Sequence, residues 1–315
     1  MAGIKIIGLG KSQGDKLVTN DDLAKIVDTS DEWIQAKTGI KSRFFAEKKD
    51  NVDLATEAAE AAIKEAGIDK GQISMCIVCT FTPDDFTPAV SCNVAGRLGL
   101  NEEIMAFDLN GACSGFIFGC NVANGLLATG SGRYALVIGS EKISPLMDME
   151  DRGTCVLFGD GAGAAVLEYC KDGEFSFLGG CSSNRDILYC GKEGGIQMAG
   201  QEVYRFAVSK VPQCINKIMD KAGYKEEEID YFVCHQANER IIDNAARRIS
   251  KDKSKYYKNL YTYGNTSAAS IPIVLQEMAE EGLFDKDKKI ICTGFGAGLT
   301  YGTMYIKVDT NGREA

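Results

Sequence analysis

Histidine is almost missing from this chain: His235 is the only one in 315 residues. A single imidazole excludes a multi-histidine metal site and any mechanism that needs two catalytic histidines, and no metal site is expected. Tryptophan is equally scarce, with Trp33 alone, and there are only 5 prolines. Positive charge is also in deficit, 35 Lys and Arg against 44 Asp and Glu, for a net −9. A nucleic-acid binder needs positive charge to displace counterions, so that class is excluded for the chain as a whole. Residues Met1 to Gly10 read as a strand from the outset, with neither a basic leader nor a long apolar run. A second CxxC is missing too, so Cys76-x-x-Cys79 has no partner with which to build a zinc site.

What remains is an ordinary globular composition, 45% apolar and 25% charged, in a chain long enough for two domains. The 12 cysteines form no disulfide framework. Cys76 and Cys79 lie in one apolar run, and strand residues three apart face opposite ways, so their thiols are expected to diverge. They read as small buried filling, and so many free thiols imply a reducing compartment, the cytoplasm. Leu109 to Gly132 carries no charge and is long enough to span a bilayer. Its six glycines and three asparagines argue instead for a helix buried in a protein core, and no membrane association is expected. Gly111, Gly115 and Gly119 give that helix one smooth face.

The chain is a duplication. Ala66-Gly67, Ile73 and the strand ending Val78-Cys79-Thr80 are repeated as Ala222-Gly223, Ile229 and the strand ending Val233-Cys234-His235. Leu136 to Gly139 matches Ile290 to Gly294, with the glycines 155 apart. Gly130 and Gly282, which stop the following helices, are 152 apart, an offset that puts Cys113 opposite Asn265. Each half reads as alternating helix and strand, which predicts an α/β fold with mixed, largely parallel sheets covered by helices. The halves are expected at 1–170 and 171–315, divided at the turn Lys171-Asp172-Gly173. A pseudo-twofold between them would let Cys113, His235 and Asn265 converge.

Cys113 begins the uncharged helix, where the positive end of the helix dipole is expected to lower its pKa. His235 sits at a strand end, where sites form in α/β sheets. Asn265 opens Asn265-Thr266-Ser267, which alone would be a helix cap. Two glycine-rich stretches are discounted as phosphate loops. Gly8 to Gly14 has no following helix, and Gly159-x-Gly161-x-Gly163 runs into a strand.

Together these motifs carry a resemblance. The chain resembles the thiolase-fold condensing enzymes, and most closely the 3-oxoacyl-acyl-carrier-protein synthase III family. The matching segments span nearly the whole chain. They are Asp28 to Ile34 with Thr38-Gly39-Ile40, Ala112-Cys113-Ser114-Gly115-Phe116, Asp151-Arg152-Gly153-Thr154, Phe158 to Ala165, His235-Gln236-Ala237-Asn238 and Gly264 to Ser270. Elongating synthases of this fold use Cys-His-His, which one histidine excludes. Thiolases place a second cysteine in the C-terminal glycine loop, and Gly294-Phe295-Gly296-Ala297-Gly298 has none.

The resemblance implies a five-layered αβαβα architecture of two pseudo-symmetric halves and a catalytic set of Cys113, His235 and Asn265. Cys113 would take an acyl group from acyl-CoA. Malonyl-acyl carrier protein would then decarboxylate, with His235 and Asn265 donating to its thioester oxygen. Backbone N–H groups of Cys113 and Ala297 would hold the second oxyanion. CoA thioesters are substrates, and no cofactor is implied. Thr29, Trp33, Lys37, Arg152 and Asn238 fall at CoA-binding positions, with Trp33 placed to stack on adenine and Lys37 standing where many relatives carry Arg. Thr87 and Phe158 fall at the acyl pocket. Carrier-protein docking would involve Gln236, Ala237, Asn238, Glu239, Arg240, Arg247 and Arg248, since Glu239 to Lys258 holds seven Lys and Arg against three Asp and Glu. A homodimer is implied, with Thr82 to Pro88 crossing to the partner. The second reading is a related Cys-His-Asn ketide synthase of secondary metabolism.

Overall fold

The computed structural model describes residues 2–171, 173–191, 195–250, 252–284 and 287–310. Asp172 of the expected boundary turn and Lys251 of the basic stretch lie outside these residues.

In chain order the N-terminal elements are β1 (Gly3–Gln13), β2 (Lys16–Thr19), α1 (Asn20–Leu23), α2 (Asp31–Thr38), β3 (Ser42–Phe45), α3 (Asn51–Ala66), β4 (Ile73–Cys79), α4 (Val90–Leu98), β5 (Met105–Leu109), α5 (Gly115–Ala128), β6 (Tyr134–Glu141) and β7 (Gly161–Cys170). There follow β8 (Ser176–Cys181), β9 (Leu188–Cys190), β10 (Ile196–Met198), α6 (Gly200–Ala222), β11 (Tyr231–Cys234), α7 (Glu239–Ile249), α8 (Leu260–Tyr263), α9 (Ser270–Glu280), β12 (Lys288–Gly296) and β13 (Thr300–Val308).

The strand pairings state the duplication directly. β4 runs parallel to β6, β6 antiparallel to β7, and β7 antiparallel to β1. In the same sense β11 runs parallel to β12, β12 antiparallel to β13, and β13 antiparallel to β8. The two sets touch through β1 and β13, in parallel register at Lys5–Lys307 and Ile6–Val308. β5 extends the first set through β4 and ends the path as an edge strand.

Three buried clusters show the layers. Phe116, Ile117, Cys120 and Ala123 of α5 pack with Ile271, Val274 and Met278 of α9 between the two sets of strands. Ala58, Ala59 and Ala62 of α3 and Val94 of α4 cover the outer face of the first set. Ile215 and Ile218 of α6 and Ile242 and Ala245 of α7 cover the outer face of the second. That is the αβαβα stack. The alternation of β4 explains its CxxC: Cys76 belongs to an outer cluster and Cys79 to the central one, so the thiols do diverge. Both are free.

Close packing fixes the first outer layer. Asp50 and Asp53 form a capping box at the start of α3, and Gly67 ends it in the left-handed conformation. Small residues let α3 lie against β1, where a Cβ on Gly8 would come 2.3 Å from the Ala62 carbonyl oxygen. The stretch Gly8 to Gly14 is thus mostly strand, placed for contact with a helix and not for phosphate. Gly161 and Gly163 lie in β7 for a similar reason, since a Cβ on Gly163 would meet Ile273 N at 2.6 Å.

Among the described residues no helix is long and apolar enough to cross a membrane. The uncharged segment becomes α5, buried in the central layer.

Candidate active site

The site forms where two equivalent short 3₁₀ turns meet. Ala112–Ser114 leads into α5, and Ser267–Ala269 leads into α9. Ala112 has φ 46° and Ser267 has φ 49°, the only non-glycine residues with positive φ among those described. Such backbone costs about 1–3 kcal/mol and persists where packing enforces it, often at functional sites. Ala112 and Ser267 are 155 apart, the same offset as the strand ends Cys79 and Cys234. This corrects the expected pairing of Cys113 with Asn265. In the structural register Cys113 is opposite Ala268, and Asn265 is opposite Asn110. The offset of 152 at Gly130 and Gly282 arises because α9 has 11 residues where α5 has 14.

Cys113, His235 and Asn265 are nevertheless linked, each through one or two intervening residues. Gly296 at the end of β12 packs directly on Cys113, and a Cβ there would lie 2.8 Å from Cys113 N and 3.2 Å from its sulfur. The next residue back, Phe295, holds the His235 ring edge-to-face with centroids 5.4 Å apart. On the other side Ser267 lines the same cavity as Cys113, with its buried Oγ free of any hydrogen-bond partner among the described residues. The Ser267 N–H donates to Asn265 Oδ1 at 2.9 Å, which leaves the Asn265 Nδ2 group as the donor. Asn265 is pinned to the first half of the chain. Its N–H donates to Leu157 O at 2.8 Å, and its carbonyl accepts from Gly159 N–H at 3.1 Å.

His235 ends β11 through an N–H bond to Thr293 O of 2.8 Å. Its Nδ1 lies 2.7 Å from Ser270 Oγ. Ser270 Oγ also accepts the Gln236 N–H at 3.4 Å, so the hydroxyl proton is available for Nδ1. When Ser270 donates to Nδ1, the ring proton sits on Nε2. Burial disfavours the imidazolium and pulls the His235 pKa down to about 3, which favours the neutral ring with one N–H to donate.

Cys113 departs from expectation. Part of the residue opens to a cavity, yet the sulfur is otherwise enclosed. Burial pushes its thiol up to about 12.

The cavity holds about 610 Å³ and is lined by Cys113, Ala297 and Ser267 at one end and by Phe81, Leu146, Phe158, Leu188 and Ile196 along an apolar wall. Phe158 is where the sequence placed it. Thr87 is exposed and does not line the cavity of its own chain, while Pro83 and Phe86 of the same segment do. The physical reason is that residues 83–88 run along the surface of a single chain.

Trp33 and Arg152 come together on the surface, with the guanidinium 4.6 Å from the indole centroid. Arg152 also donates to Asp28 O at 2.9 Å. Trp33 is set by the Ser30 cap of α2, whose hydroxyl accepts the Trp33 N–H at 3.2 Å. Thr29 nearby has a buried Oγ1 without a hydrogen-bond partner. Asn238 caps α7 and donates through Nδ2 to Lys37 O at 3.0 Å, so these two residues share one edge.

Gln236 corrects the docking expectation. It is 1% exposed, and its amide donates to Cys234 O and accepts from Asn259 N–H. It builds the loop below the site and presents nothing to a partner. Ala237 is half-buried against a core cluster, and Glu239 pairs with Lys258. Arg240, Arg247 and Arg248 are exposed on α7.

Sequence reasoning missed Ser270, Ser267 and Glu141. Glu141 is buried at the end of β6, where Oε2 accepts from Thr80 Oγ1 at 3.0 Å, Thr82 Oγ1 at 2.7 Å and Phe81 N–H at 3.2 Å. A carboxylate closing an apolar strand, Leu136 to Glu141, was the available signal.

Comparison with known proteins agrees with this geometry. Residues 107–183 match the model for 3-oxoacyl-(acyl-carrier-protein) synthase III, and residues 219–308 match that for its C-terminal part. The beta-ketoacyl-(acyl-carrier-protein) synthase III of Clostridium acetobutylicum is 42% identical, covering 98% of this chain and 99% of that protein. The same-named protein of Clostridium botulinum (Loch Maree) is 43% identical over 96% of this chain and 98% of its own length. The crystal structure of 3-oxoacyl-(acyl-carrier-protein) synthase III from Aquifex aeolicus superimposes with a TM-score of 0.93 at 40% identity, covering 97% of this chain and 100% of that one. From the repeated strands to the paired strained turns, and by these matches along almost its whole length, the chain belongs to the 3-oxoacyl-(acyl-carrier-protein) synthase III family of thiolase-fold condensing acyltransferases.

Proposed function

We propose that Cys113 takes an acyl group from acyl-CoA and that the acyl-enzyme condenses with malonyl-acyl carrier protein, releasing CO2 and 3-oxoacyl-acyl carrier protein to begin fatty acid synthesis. One observation carries this reading: Cys113 opens onto the apolar cavity while Gly296 and Ser267 tie it to His235 and Asn265.

In the first step the Cys113 sulfur adds to the thioester carbonyl and the C–S bond to CoA breaks. In the second, the malonyl C–C bond breaks and charge moves onto the thioester oxygen. His235 Nε2–H and Asn265 Nδ2–H donate to that oxygen, both neutral and both fixed by a neighbour. Decarboxylation leaves the carbanion that attacks the acyl carbonyl. N–H groups of Cys113 and Ala297 stabilise the resulting oxyanion. Every developing charge is met by a donor of the chain, so the reaction proposed calls on no metal or organic cofactor.

The Trp33–Arg152 pair with Thr29, Lys37 and Asn238 is the proposed CoA surface. Stacking on the indole and a guanidinium beside it suit an adenine nucleotide. The carrier protein is proposed to dock on Arg240, Arg247 and Arg248, a local positive face on an acidic chain. A homodimer is proposed through the open edge of β5, with Met105 exposed, and through the segment at Phe86, which is 87% exposed. Twelve free thiols support a cytoplasmic location.

Two assays test the reading. Mixed acyl-CoAs are offered and CoA release is measured, and malonyl-acyl carrier protein is then added and the carrier is analysed by mass. The expected result is CoA release, then 3-oxoacyl carrier protein. Release of CoA without any carrier-bound product would contradict the condensation, and the adduct on Cys113 identifies the primer.

A further inference from the structure

Arg43 of β3 is 0% exposed. Its Nη1 donates to Asn20 Oδ1 at 2.8 Å and, more weakly, to Val18 O at 3.5 Å. Its Nη2 donates to Val156 O at 2.6 Å. None of these acceptors is a carboxylate, and the Nε–H, also buried, has no hydrogen-bond partner among the described residues. A guanidinium taken out of water with no opposite charge and one unused donor is costly, and an apolar side chain of similar volume would often serve stability as well or better. What arginine supplies instead is a rigid planar fork that fixes the direction of several bonds at once.

One arm of the fork reaches the stretch that holds Asn265. Just after Val156, Leu157 O accepts the Asn265 N–H at 2.8 Å, and Gly159 N–H donates to Asn265 O at 3.1 Å. Phe158 and Asn265 form a parallel bridge between them. The stem of Arg43 packs on the same corner. A Cβ on Gly159 would lie 3.0 Å from Arg43 Cβ, and one on Gly264, the residue before Asn265, would lie 3.4 Å from it. The other arm reaches the start of the chain. Asn20 is 1% exposed, and its Nδ2 donates to Ile40 O and to Asp31 Oδ1, both at 2.8 Å. Asp31 begins α2, two residues before Trp33.

We propose that Arg43 is a positioning residue for Asn265: held by Asn20, its guanidinium fixes Val156 to Gly159 and through them aims the Asn265 amide at the thioester oxygen. This rests on the reading that Asn265 donates to that oxygen during condensation. The amide itself is set by Ser267 N–H, and the backbone that carries it is set by Leu157 and Gly159. Arg43 secures the second of these supports. A donor aimed at developing charge loses its effect steeply when it is misplaced, even when the change lies away from the reacting atoms. Cys113 rests on different supports, the turn before α5 and Gly296. Acylation and condensation therefore respond differently to loss of the guanidinium.

The test measures the two half-reactions separately: CoA release with acyl label on Cys113, then discharge of that label by malonyl-acyl carrier protein. Arg43→Lys keeps a buried cation but offers a point donor in place of the fork. Asn20→Ala leaves the arginine and removes the acceptor that holds it. Each is expected to slow discharge by roughly 10-fold or more, as a fall in kcat with KM for the carrier substrate near wild type, and to leave acylation within about two-fold of wild type. In an Asn265→Ala background neither substitution is expected to slow discharge further, because the group being positioned is gone. Losses that multiply in that background, equal loss in both half-reactions, or wild-type discharge in both single variants would overturn the proposal. If neither variant folds, the cluster serves stability alone and the proposal is overturned as well. Wild-type discharge in Asn265→Ala itself would overturn the oxyanion reading beneath it, and the role of Arg43 with it.

Discussion

Each polar side chain in the site is fixed by one neighbour that decides what it can do. Ser270 sets the His235 tautomer, and Ser267 N–H sets the Asn265 amide. Removing Asn265 as Asn265→Ala is expected to cut condensation by about 10²–10³-fold while leaving acylation near wild type. Ser270→Ala frees Nδ1 to carry the proton. It should lower condensation, with kcat falling more than KM rises, and Ser270→Thr should restore part of it. Equal loss in both half-reactions would show that these residues only hold the fold. Glu141 adds a pH signature. Its folded pKa is raised from 4.5 to about 7, so its contribution to stability is complete below 4.5 and is lost as pH rises through 7. Relative to wild type, Glu141→Gln should therefore gain melting temperature as pH is raised across that window. A difference between the two proteins that does not change with pH would contradict a buried, protonated carboxyl. These residue-level features are where the sequence was least readable. Cys113, His235 and Asn265 stood out by type and motif. Ser267, Ser270 and Glu141 are ordinary residues whose importance comes from burial and from what they face. Burial opposes the expected lowering of the Cys113 thiol, and desolvation, unlike a helix start, is not visible in sequence.

The elements that place the site were much easier to read. The period and turn signals located α5, the glycine-bounded strands and the duplicated strand pairs. What the pattern obscured was register. A three-residue difference between α5 and α9 shifted the apparent partner of Cys113 from Ala268 to Asn265, because only the helix-stopping glycines marked that region. The β12–β13 corner shows an element acting on chemistry. Gly296 is required by contact, with a Cβ only 3.0 Å from Cys113 Cβ. Gly296→Ala should cost about 1–3 kcal/mol of stability and abolish most acylation by displacing Cys113. Wild-type acylation in that variant would show that the corner yields freely. On α7, Gln236 was expected at the docking face because it adjoins His235 in sequence, but a loop that buries one residue and exposes the next is not visible in a motif. Charge reversal at Arg247 and Arg248 should weaken carrier-protein affinity and flatten its salt dependence, measured as KM for malonyl-acyl carrier protein. An unchanged KM would place the docking face elsewhere.

At the scale of the whole molecule, two equivalent halves bring their buried helices together and so create one cavity from two short turns. Duplication explains why both turns carry positive φ, at Ala112 and Ser267, and why Cys113 comes from one half and His235 and Asn265 from the other. The layered architecture was readable because it follows from alternating elements. Residues 83–88 form an exposed segment, and its expected crossing to a partner is a property of two chains. The central claim is that Cys113 carries the acyl group and that His235 and Asn265 act only afterwards. Intact-protein mass spectrometry tests it most directly, after brief exposure to acyl-CoA and then to malonyl-acyl carrier protein. The account predicts one acyl mass on wild type, discharged by the carrier. It predicts the same mass held undischarged on Asn265→Ala, and none on Cys113→Ala. An acyl adduct that persists in Cys113→Ala would contradict it.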